Sequence, residues 1–319
     1  MYTSADSRYW TGRIDDQHHI DAFRMHQVIK LIDVNKLPSF ESGFTFIGFK
    51  SDEGVKRNKG RTGARKAPND LRKALASLPF MLDSDTKLID AGNVACVDDQ
   101  LEAAQEELGA TIPLIYQSGL TPVILGGGHE TLYGHYLGAR QFIGAEQSLG
   151  IINIDAHFDM RDEPFRSSGT MFKQIMENDP NAGYLCLGIQ EFGNTKALFN
   201  TADYYNCQYI LQEDVAANHF NDTFQTIQAF AESYDHVIVT FCTDSIAANA
   251  APGVSAPSPF GLDPKVVRTV LRYSLGQSNV LSFDIAEVNP DVDENGKTVK
   301  LAAYLLAYAM KHINTSEKT

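Results

Sequence analysis

Residues 149–159 read LGIINIDAHFD, a largely apolar run followed by ionisable side chains at every second position. An isoleucine-rich run of this length predicts a strand over 149–155 that is buried on both faces, as in a parallel sheet. In extended backbone, alternate side chains share a face, so Asp155, His157 and Asp159 are expected to converge on one point. Arg161 continues the same phase.

The pattern of short apolar runs recurs along the chain. It predicts seven further strands, at 44–49, 87–91, 121–126, 184–189, 207–210, 236–242 and 279–285. Helical patterns lie between them, for example 98–119 and 263–275, each with Asp at or near its start. Such alternation indicates a three-layer α/β/α fold with a mostly parallel sheet of about eight strands. No repeat or linker divides the sequence, so residues 1–319 are expected to form a single domain.

Composition excludes several classes of function. The 319 residues are 43% hydrophobic and 21% charged, with a formal net charge of -13, which argues against non-specific binding to nucleic acid or anionic membranes. The apolar run at 301–310 is too short to cross a bilayer and predicts a core helix. The first residues lack the pattern of a secretion signal, and the four cysteines form no C-x-x-C pair. A cytoplasmic protein is therefore expected.

Ionisable groups follow four of the predicted strands, where open α/β sheets bind their ligands. The motifs are GGGHE at 126–130, DAHFD at 155–159, CTD at 242–244 and DIAEVNP at 284–290. They supply His129, Asp155, His157, Asp159, Cys242, Asp244, Asp284 and Glu287. Carboxylates this crowded would repel one another unless cations neutralised them. Mixed carboxylate and imidazole ligands suit a first-row divalent ion such as manganese, and their number suggests two ions.

Each motif alone has a simpler interpretation. GGGHE can be a tight loop with a surface histidine, and it is not the G-x-G-x-x-G pattern of a nicotinamide site. Asp244 can cap a helix, and Asp284 can cap a helix or support a ligand from behind. DAHFD can be a solvated strand end. The coincidence at four strand ends favours a metal site.

The motifs GGGHE, NIDAHFD and SFDIAEVNP resemble those of the ureohydrolase family, which includes arginases, agmatinases and formimidoylglutamases. GRTGARKAPNDLRKAL at 60–75 is similar to the family's early loop and helix, so the resemblance covers nearly the whole chain. It implies an arginase-like fold, a homo-oligomer, and two manganese ions joined by a bridging hydroxide. By motif, His129 and Asp159 would bind one ion and His157 and Asp244 the other, with Asp155 between them.

Three stretches, YWTGRID at 9–15, SSGTMF at 167–172 and APGVSAP at 251–257, are most similar to the branch that hydrolyses N-formimidoyl-L-glutamate to L-glutamate and formamide in histidine degradation. The resemblance implies that the bridging hydroxide attacks the formimidoyl carbon. Glu287 would then hold the amidinium-like nitrogen, and Asp159 would pass a proton to the departing amine. Because this substrate carries two carboxylates, Arg161 and Arg166 are candidates to bind them; the alternative for either is an ordinary surface ion pair.

Two positions depart from the family pattern. The family usually has D-x-D where this chain has CTD, which puts Cys242 at a bridging position. A thiolate is a softer ligand than a carboxylate and suits manganese less, although Cys242 can also be a small buried hydrophobic residue. Ser168 stands where arginases and agmatinases commonly have histidine, which favours another substrate because a hydroxyl cannot shuttle a proton as imidazole does.

Two other functions stay open at this point. The first is a ureohydrolase that acts on a guanidino compound, for which Asp162 and Glu163 would offer acidic contacts. The second is a relative that binds metal without catalysis, which the presence of both Asp159 and Glu287 disfavours.

Overall fold

A ten-stranded sheet forms the centre of the computed structural model, which describes residues 1–215 and 220–313. Its strands are β1 Tyr2–Thr3, β2 Lys30–Leu31, β3 Gly43–Lys50, β4 Lys87–Ala95, β5 Thr121–Leu125, β6 Leu149–Ile154, β7 Ala182–Ile189, β8 Gln208–Leu211, β9 His236–Cys242 and β10 Val280–Ala286. The order across the sheet is β1-β4-β3-β5-β10-β9-β6-β7-β8, and β2 also pairs with β4. Only the β1–β4 pairing is antiparallel among these strands. The eight predicted strands are confirmed as β3 to β10; β1 and β2 are two-residue strands, too short to produce a pattern in the sequence.

Ten α-helices of the described residues surround the sheet. They are α1 Met25–Val28, α2 Glu53–Arg57, α3 Ala67–Ala76, α4 Leu101–Gln117, α5 Thr131–Ile143, α6 Met171–Asn178, α7 Lys196–Tyr204, α8 Phe220–Glu232, α9 Pro264–Leu275 and α10 Lys297–His312. Helices α3, α8, α9 and α10 pack on one face of the sheet, and α4 to α7 pack on the other. The three-layer α/β/α prediction is confirmed.

Burial on both faces explains the continuous apolar runs of the central strands. In β6, Ile152 belongs to the core under α8 and α9, while its neighbour Ile151 belongs to the core under α4 and α5. Both side chains are fully buried, and each stabilises the fold by about 1.5–3 kcal/mol relative to an exposed side chain. A strand covered on one side only would alternate with polar residues instead.

The predicted helices differ from the structure mainly at their first residues. Helix α9 begins as expected, because the Asp263 side chain accepts a hydrogen bond from the Lys265 amide. Helix α4 begins only at Leu101, since Asp98 and Asp99 adopt left-handed backbone angles, with φ of 48° and 59°. The run at 301–310 lies within α10, and no described helix is long and apolar enough to cross a membrane.

Strand order brings the four polar motifs together. Strands β5, β10, β9 and β6 are consecutive neighbours, and they precede GGGHE, the Glu287 segment, CTD and DAHFD respectively. All four are parallel, so their carboxyl ends meet at one edge of the sheet. This adjacency, which the local patterns do not contain, assembles the site.

Candidate active site

The loop after β6 holds three of the predicted site residues. The strand ends at Ile154, and Asp159 has a left-handed φ of 51°. The expected extended backbone over Asp155, His157 and Asp159 was therefore wrong. The three side chains do come together, but a turn brings Asp159 back toward the strand end. Within this turn the His157 amide donates a 2.8 Å hydrogen bond to Oδ1 of Asp155.

Two groups of side chains meet around Asp155, which is fully buried. On one side, Nδ1 of His129 lies 2.9 Å from Oδ2 of Asp155 and 2.9 Å from Oδ2 of Asp159. On the other, Nδ1 of His157 lies 3.2 Å from Oδ2 of Asp244 and 3.6 Å from Oδ1 of Asp155. Asp155 is thus common to both groups, as the family resemblance implies for a residue that bridges two ions.

Cys242 lies inside this cluster. It is the last residue of β9, whereas Asp244 belongs to the 3-10 helix Thr243–Ser245, so the two do not share a strand face. The short helix nevertheless turns Asp244 back, and the Cys242 thiol donates to Oδ1 of Asp244 at 2.9 Å. The cysteine also groups with His129 and Asp155, with potential ligand atoms within 4.8 Å of one another.

Burial and mutual repulsion dominate the electrostatics of the cluster. Burial raises the pKa of Asp159 to about 6, and the neighbouring charge of Asp155 adds to the effect. Burial and the Asp155 charge also raise the pKa of Asp244. Burial opposes protonation of His129, but its hydrogen bonds to Asp155 and Asp159 outweigh this and raise its pKa well above the usual value.

The donor set fits divalent cations. Two overlapping groups, His129, Asp155 and Cys242, and Asp155, His157 and Asp244, each place their ligand atoms within 4.8 Å of one another. Imidazole and carboxylate donors of this kind are typical of manganese and other first-row divalent ions. A cation bound here would offset both the burial and the Asp155 charge that raise the pKa values of Asp159 and Asp244.

A cavity of about 330 Å³ opens above this cluster. Glu287, with a left-handed φ of 66°, lines it and accepts a 2.9 Å hydrogen bond from the His129 amide through Oε1. Its other oxygen, Oε2, is buried without a hydrogen-bond partner among the described residues. Burial, together with the charges of Asp244 and Glu130, raises the pKa of Glu287 well above the usual value. An unpaired buried carboxylate oxygen beside a cavity suits a ligand that donates a hydrogen bond.

The two candidate arginines occupy different environments. Arg161 lines the cavity, and its side chain makes no hydrogen bond or ion pair with residues 1–215 or 220–313. Arg166 does not line the cavity; its guanidinium lies 4.5 Å from the centre of the Tyr133 ring, and Nη1 lies 3.5 Å from Oε1 of Gln105. The geometry therefore favours Arg161 over Arg166 as a contact for substrate.

The remaining predicted positions are also resolved in space. Ser168 lines the cavity and accepts a 3.3 Å hydrogen bond from Asn58. Asp162 and Glu163 do not line it, and Asp162 pairs with Lys173 at 3.1 Å. Asp284 is fully buried behind the cluster and accepts a 2.7 Å hydrogen bond from Thr240.

Several cavity residues were missed by the sequence reasoning. The segment 58–61 contributes Asn58, Lys59 and Arg61, and Lys59 has a left-handed φ of 61°. The Arg61 side chain is engaged with the loop after β9, where Nε donates to the Ser255 carbonyl at 2.9 Å. Only Gly60 and Arg61 of this segment lie in the stretch at 60–75 that carries the family resemblance, and nothing local in the sequence indicates that the loops after β3 and β9 meet.

Asn194 was also missed. Its Oδ1 accepts from the Phe158 amide at 3.0 Å, and its Nδ2 donates to the Ala156 carbonyl at 2.9 Å. It therefore clamps the loop that carries His157 and Asp159 to the loop after β7. The contact spans more than thirty residues of sequence, so no local pattern indicates it.

Comparison with known proteins yields one family and many relatives. The model of the arginase family matches residues 42–311. A formimidoylglutamase from Geobacillus sp. (strain WCH70) is 50% identical over 320 residues, which cover 100% of this chain and 98% of the relative. A formimidoylglutamase from Lysinibacillus sphaericus (strain C3-41) is 47% identical over 318 residues, which cover 98% of each chain.

Solved structures share the fold. The crystal structure of formimidoylglutamase from Bacillus subtilis subsp. subtilis str. 168 superposes with a TM-score of 0.82 at 22% identity, covering 93% of this chain and 94% of that one. A structure of Trypanosoma cruzi formiminoglutamase with Mn²⁺ gives a TM-score of 0.76 at 24% identity, covering 88% and 98%. At these identities the likeness concerns the fold alone.

Proposed function

This chain belongs to the arginase family of C–N hydrolases, and we propose that it hydrolyses N-formimidoyl-L-glutamate to L-glutamate and formamide. The relatives that are 47–50% identical over nearly all of the chain carry the name formimidoylglutamase, which supports this substrate. In the proposed reaction water adds to the formimidoyl carbon, the bond from that carbon to the glutamate nitrogen breaks, and the nitrogen takes up a proton.

One observation carries the proposal: the cavity has an acidic and imidazole-rich floor and a cationic rim. His129, His157, Asp159, Asp244 and Glu287 line the floor. Lys59, Arg61 and Arg161 line the same cavity, although the chain as a whole has a net charge of -13. A substrate with a positively charged amidine at one end and two carboxylates at the other complements this arrangement.

We propose that the floor holds two manganese ions per subunit. His129 and Asp159 would hold one ion, His157 and Asp244 the other, and Asp155 would contact both; Cys242 lies beside the first group. When bound, the two cations supply Lewis acidity that activates water for attack near neutral pH. The donor types and their overlap at Asp155 support this assignment.

Glu287 is proposed to orient the formimidoyl group. Its Oε2 faces no protein donor among the described residues, and its Oε1 is already held by the His129 amide. A carboxylate fixed at one oxygen can present the other to an amidine N–H without losing further side-chain entropy. The same contact would satisfy a buried oxygen that has no hydrogen bond in the described structure.

Asp159 is proposed to carry the proton to the departing glutamate nitrogen. Its side chain is 14% exposed and faces the cavity, and Oδ2 of its carboxylate is held 2.9 Å from Nδ1 of His129. At the rim, the Arg161 side chain has no hydrogen-bond or ion-pair partner among the described residues and is proposed to bind a substrate carboxylate. Arg61 is held by the Ser255 carbonyl and so helps to form the wall.

The test is a substrate panel with the purified chain and manganese. We expect turnover of N-formimidoyl-L-glutamate and little turnover of arginine, agmatine and guanidino acids. Asp162 and Glu163, which would have favoured an amine-tailed guanidino substrate, do not line the cavity. Faster turnover of a guanidino compound would contradict the proposed substrate, and no turnover of any compound by manganese-loaded protein would favour a non-catalytic role.

A further inference from the structure

A chain of buried polar side chains runs behind His129, away from the cavity. Nε2 of His129 lies 3.1 Å from the Thr240 hydroxyl, which donates a 2.7 Å hydrogen bond to Oδ1 of Asp284. Oδ2 of the same carboxylate lies 2.6 Å from Nδ1 of His135 on α5. Thr240, Asp284 and His135 are each 0% exposed, and none of them lines the cavity. The proposed mechanism gives none of them a role.

At the far end of this series of side chains, His135 is hydrogen-bonded as well. Nε2 of His135 lies 2.5 Å from the Ser282 hydroxyl, and Ser282 bonds to the hydroxyl of Tyr116. His135 is therefore held from both ring nitrogens by strand β10, and its ring cannot rotate without breaking a buried hydrogen bond. A buried polar group left without a partner destabilises the fold, so this orientation of the ring is favoured.

The direction of each hydrogen bond follows from Asp284. An ionised carboxylate only accepts, so the Thr240 hydroxyl must point its hydrogen at Asp284 and can offer only a lone pair to His129. Nε2 of His129 must then carry a hydrogen. In the neutral ring this leaves the lone pair on Nδ1, which is the nitrogen that faces Asp155 and Asp159.

We infer that Asp284 and His135 are positioning residues that act through Thr240 to keep the hydrogen of neutral His129 on Nε2 and the lone pair of Nδ1 directed at a divalent cation. The inference rests on the metal centre of the proposed function. Asp284 sets the hydrogen of Thr240, and His135 holds Asp284 in place. Partners of this kind behind a histidine ligand fix its ring orientation and make it a better donor to the metal.

Manganese binding to the full chain tests the inference. Thr240→Val removes the hydroxyl with little change in volume, and Thr240→Ser returns it. Thr45→Val is the matched control, because Thr45 is a fully buried threonine of β3 whose hydroxyl has no hydrogen-bond partner among the described residues. Each protein is stripped with chelator and titrated with Mn²⁺ by calorimetry. Bound manganese per chain is counted after dialysis, and thermal unfolding in chelator reports stability separately.

We expect Thr240→Val to weaken one of two manganese sites by about 10- to 100-fold and to leave the other unchanged. Thr240→Ser should restore the weakened site, and Thr45→Val should bind as the unmodified chain does. Equal affinities for the unmodified chain and Thr240→Val would overturn the inference, as would equal weakening by Thr45→Val or a failure of Thr240→Ser to restore binding. A purely structural role would lower the unfolding temperature in chelator without this selective loss.

Asp284→Asn provides a second route if Thr240→Val does not fold. An amide N–H that faces Thr240 would turn the hydroxyl hydrogen toward His129, so one site should again weaken; unchanged binding at both sites would overturn the inference. The outcome is separable from that of the proposed function, because Mn²⁺ is the probe. An unmodified chain that binds two ions but does not hydrolyse N-formimidoyl-L-glutamate contradicts the substrate alone, whereas one that binds no manganese contradicts the metal centre.

Discussion

Replacing Arg161 with methionine should raise KM for N-formimidoyl-L-glutamate and leave kcat nearly unchanged. Methionine keeps much of the length and apolar surface of the arginine and removes only its charge and donors. In the structure the Arg161 side chain lines the cavity and has no hydrogen bond or ion pair with the described residues, so its loss leaves no protein group unpaired. It also makes no hydrogen bond or ion pair with Asp155, His157 or Asp244.

The magnitude follows from the exposure of Arg161. A hydrogen bond to a charged group contributes about 1.5–3 kcal/mol, and an exposed guanidinium lies at the lower end of this range because solvent screens it. A loss of about 1.5 kcal/mol corresponds to an increase of about tenfold in KM. Steady-state kinetics with saturating manganese measure the two constants separately.

Arg166→Met is the matched control. Arg166 does not line the cavity, and its guanidinium packs on the Tyr133 ring at 4.5 Å from the ring centre.

 We expect its KM to stay within about twofold of the unmodified chain, with at most a small loss of stability from the lost cation–π contact. Unchanged KM in Arg161→Met, or an equal rise in both variants, would refute the assignment of Arg161 to a substrate carboxylate.

Three further predictions concern the floor of the cavity and its surroundings. Chelation should abolish activity and manganese restore it, and Asp155→Ala should lose both metal and turnover; full activity in protein shown by elemental analysis to be metal-free would contradict the metal centre. Cys242→Asp should tighten manganese binding and Cys242→Ala should weaken it; equal affinities in all three proteins would make Cys242 a bystander. Burial raises the pKa of Glu130 to about 7, so its contribution to stability is present below the unfolded-state value near 4.5 and is lost as the pH rises through 7. Between pH 4.5 and 8 in chelator, the free energy of unfolding of Glu130→Gln should therefore rise by up to about 3 kcal/mol relative to that of the unmodified chain, as measured by denaturant unfolding. A constant difference across this range would show that Glu130 does not titrate as inferred.

The strands were predictable because their burial on both faces requires a particular type of side chain at each position. A strand covered on both faces needs apolar side chains at nearly every position, and β6 and β9 meet that need with LGIINI and HVIVTFC. The strands β1 and β2 could not be predicted in this way, because two residues are too few to show a pattern of apolar and polar positions. The metal-binding character of the site was predictable for a related reason, since acidic and imidazole side chains directly after buried strands are costly unless something neutralises them.

The backbone of the site was not predictable in the same way. Asp159 and Glu287 both adopt left-handed angles, at φ of 51° and 66°, which non-glycine residues rarely adopt. Such angles are held by contacts with other loops, for example the hydrogen bond from the Glu287 amide to the Gly127 carbonyl. An alternating pattern of residues carries no information about those contacts.

Local residue pattern by itself determined the layers, the eight main strands and the kinds of ligand at their ends. Tertiary structure alone decided that β5, β10, β9 and β6 lie side by side, and that the segment 58–61 reaches the rim while Arg166 turns away to Tyr133. The physical reason is the separation along the chain over which each effect acts. Burial and backbone preference act on each residue and its near neighbours, whereas strand order and loop contacts depend on the free energy of pairing segments that lie far apart in the chain.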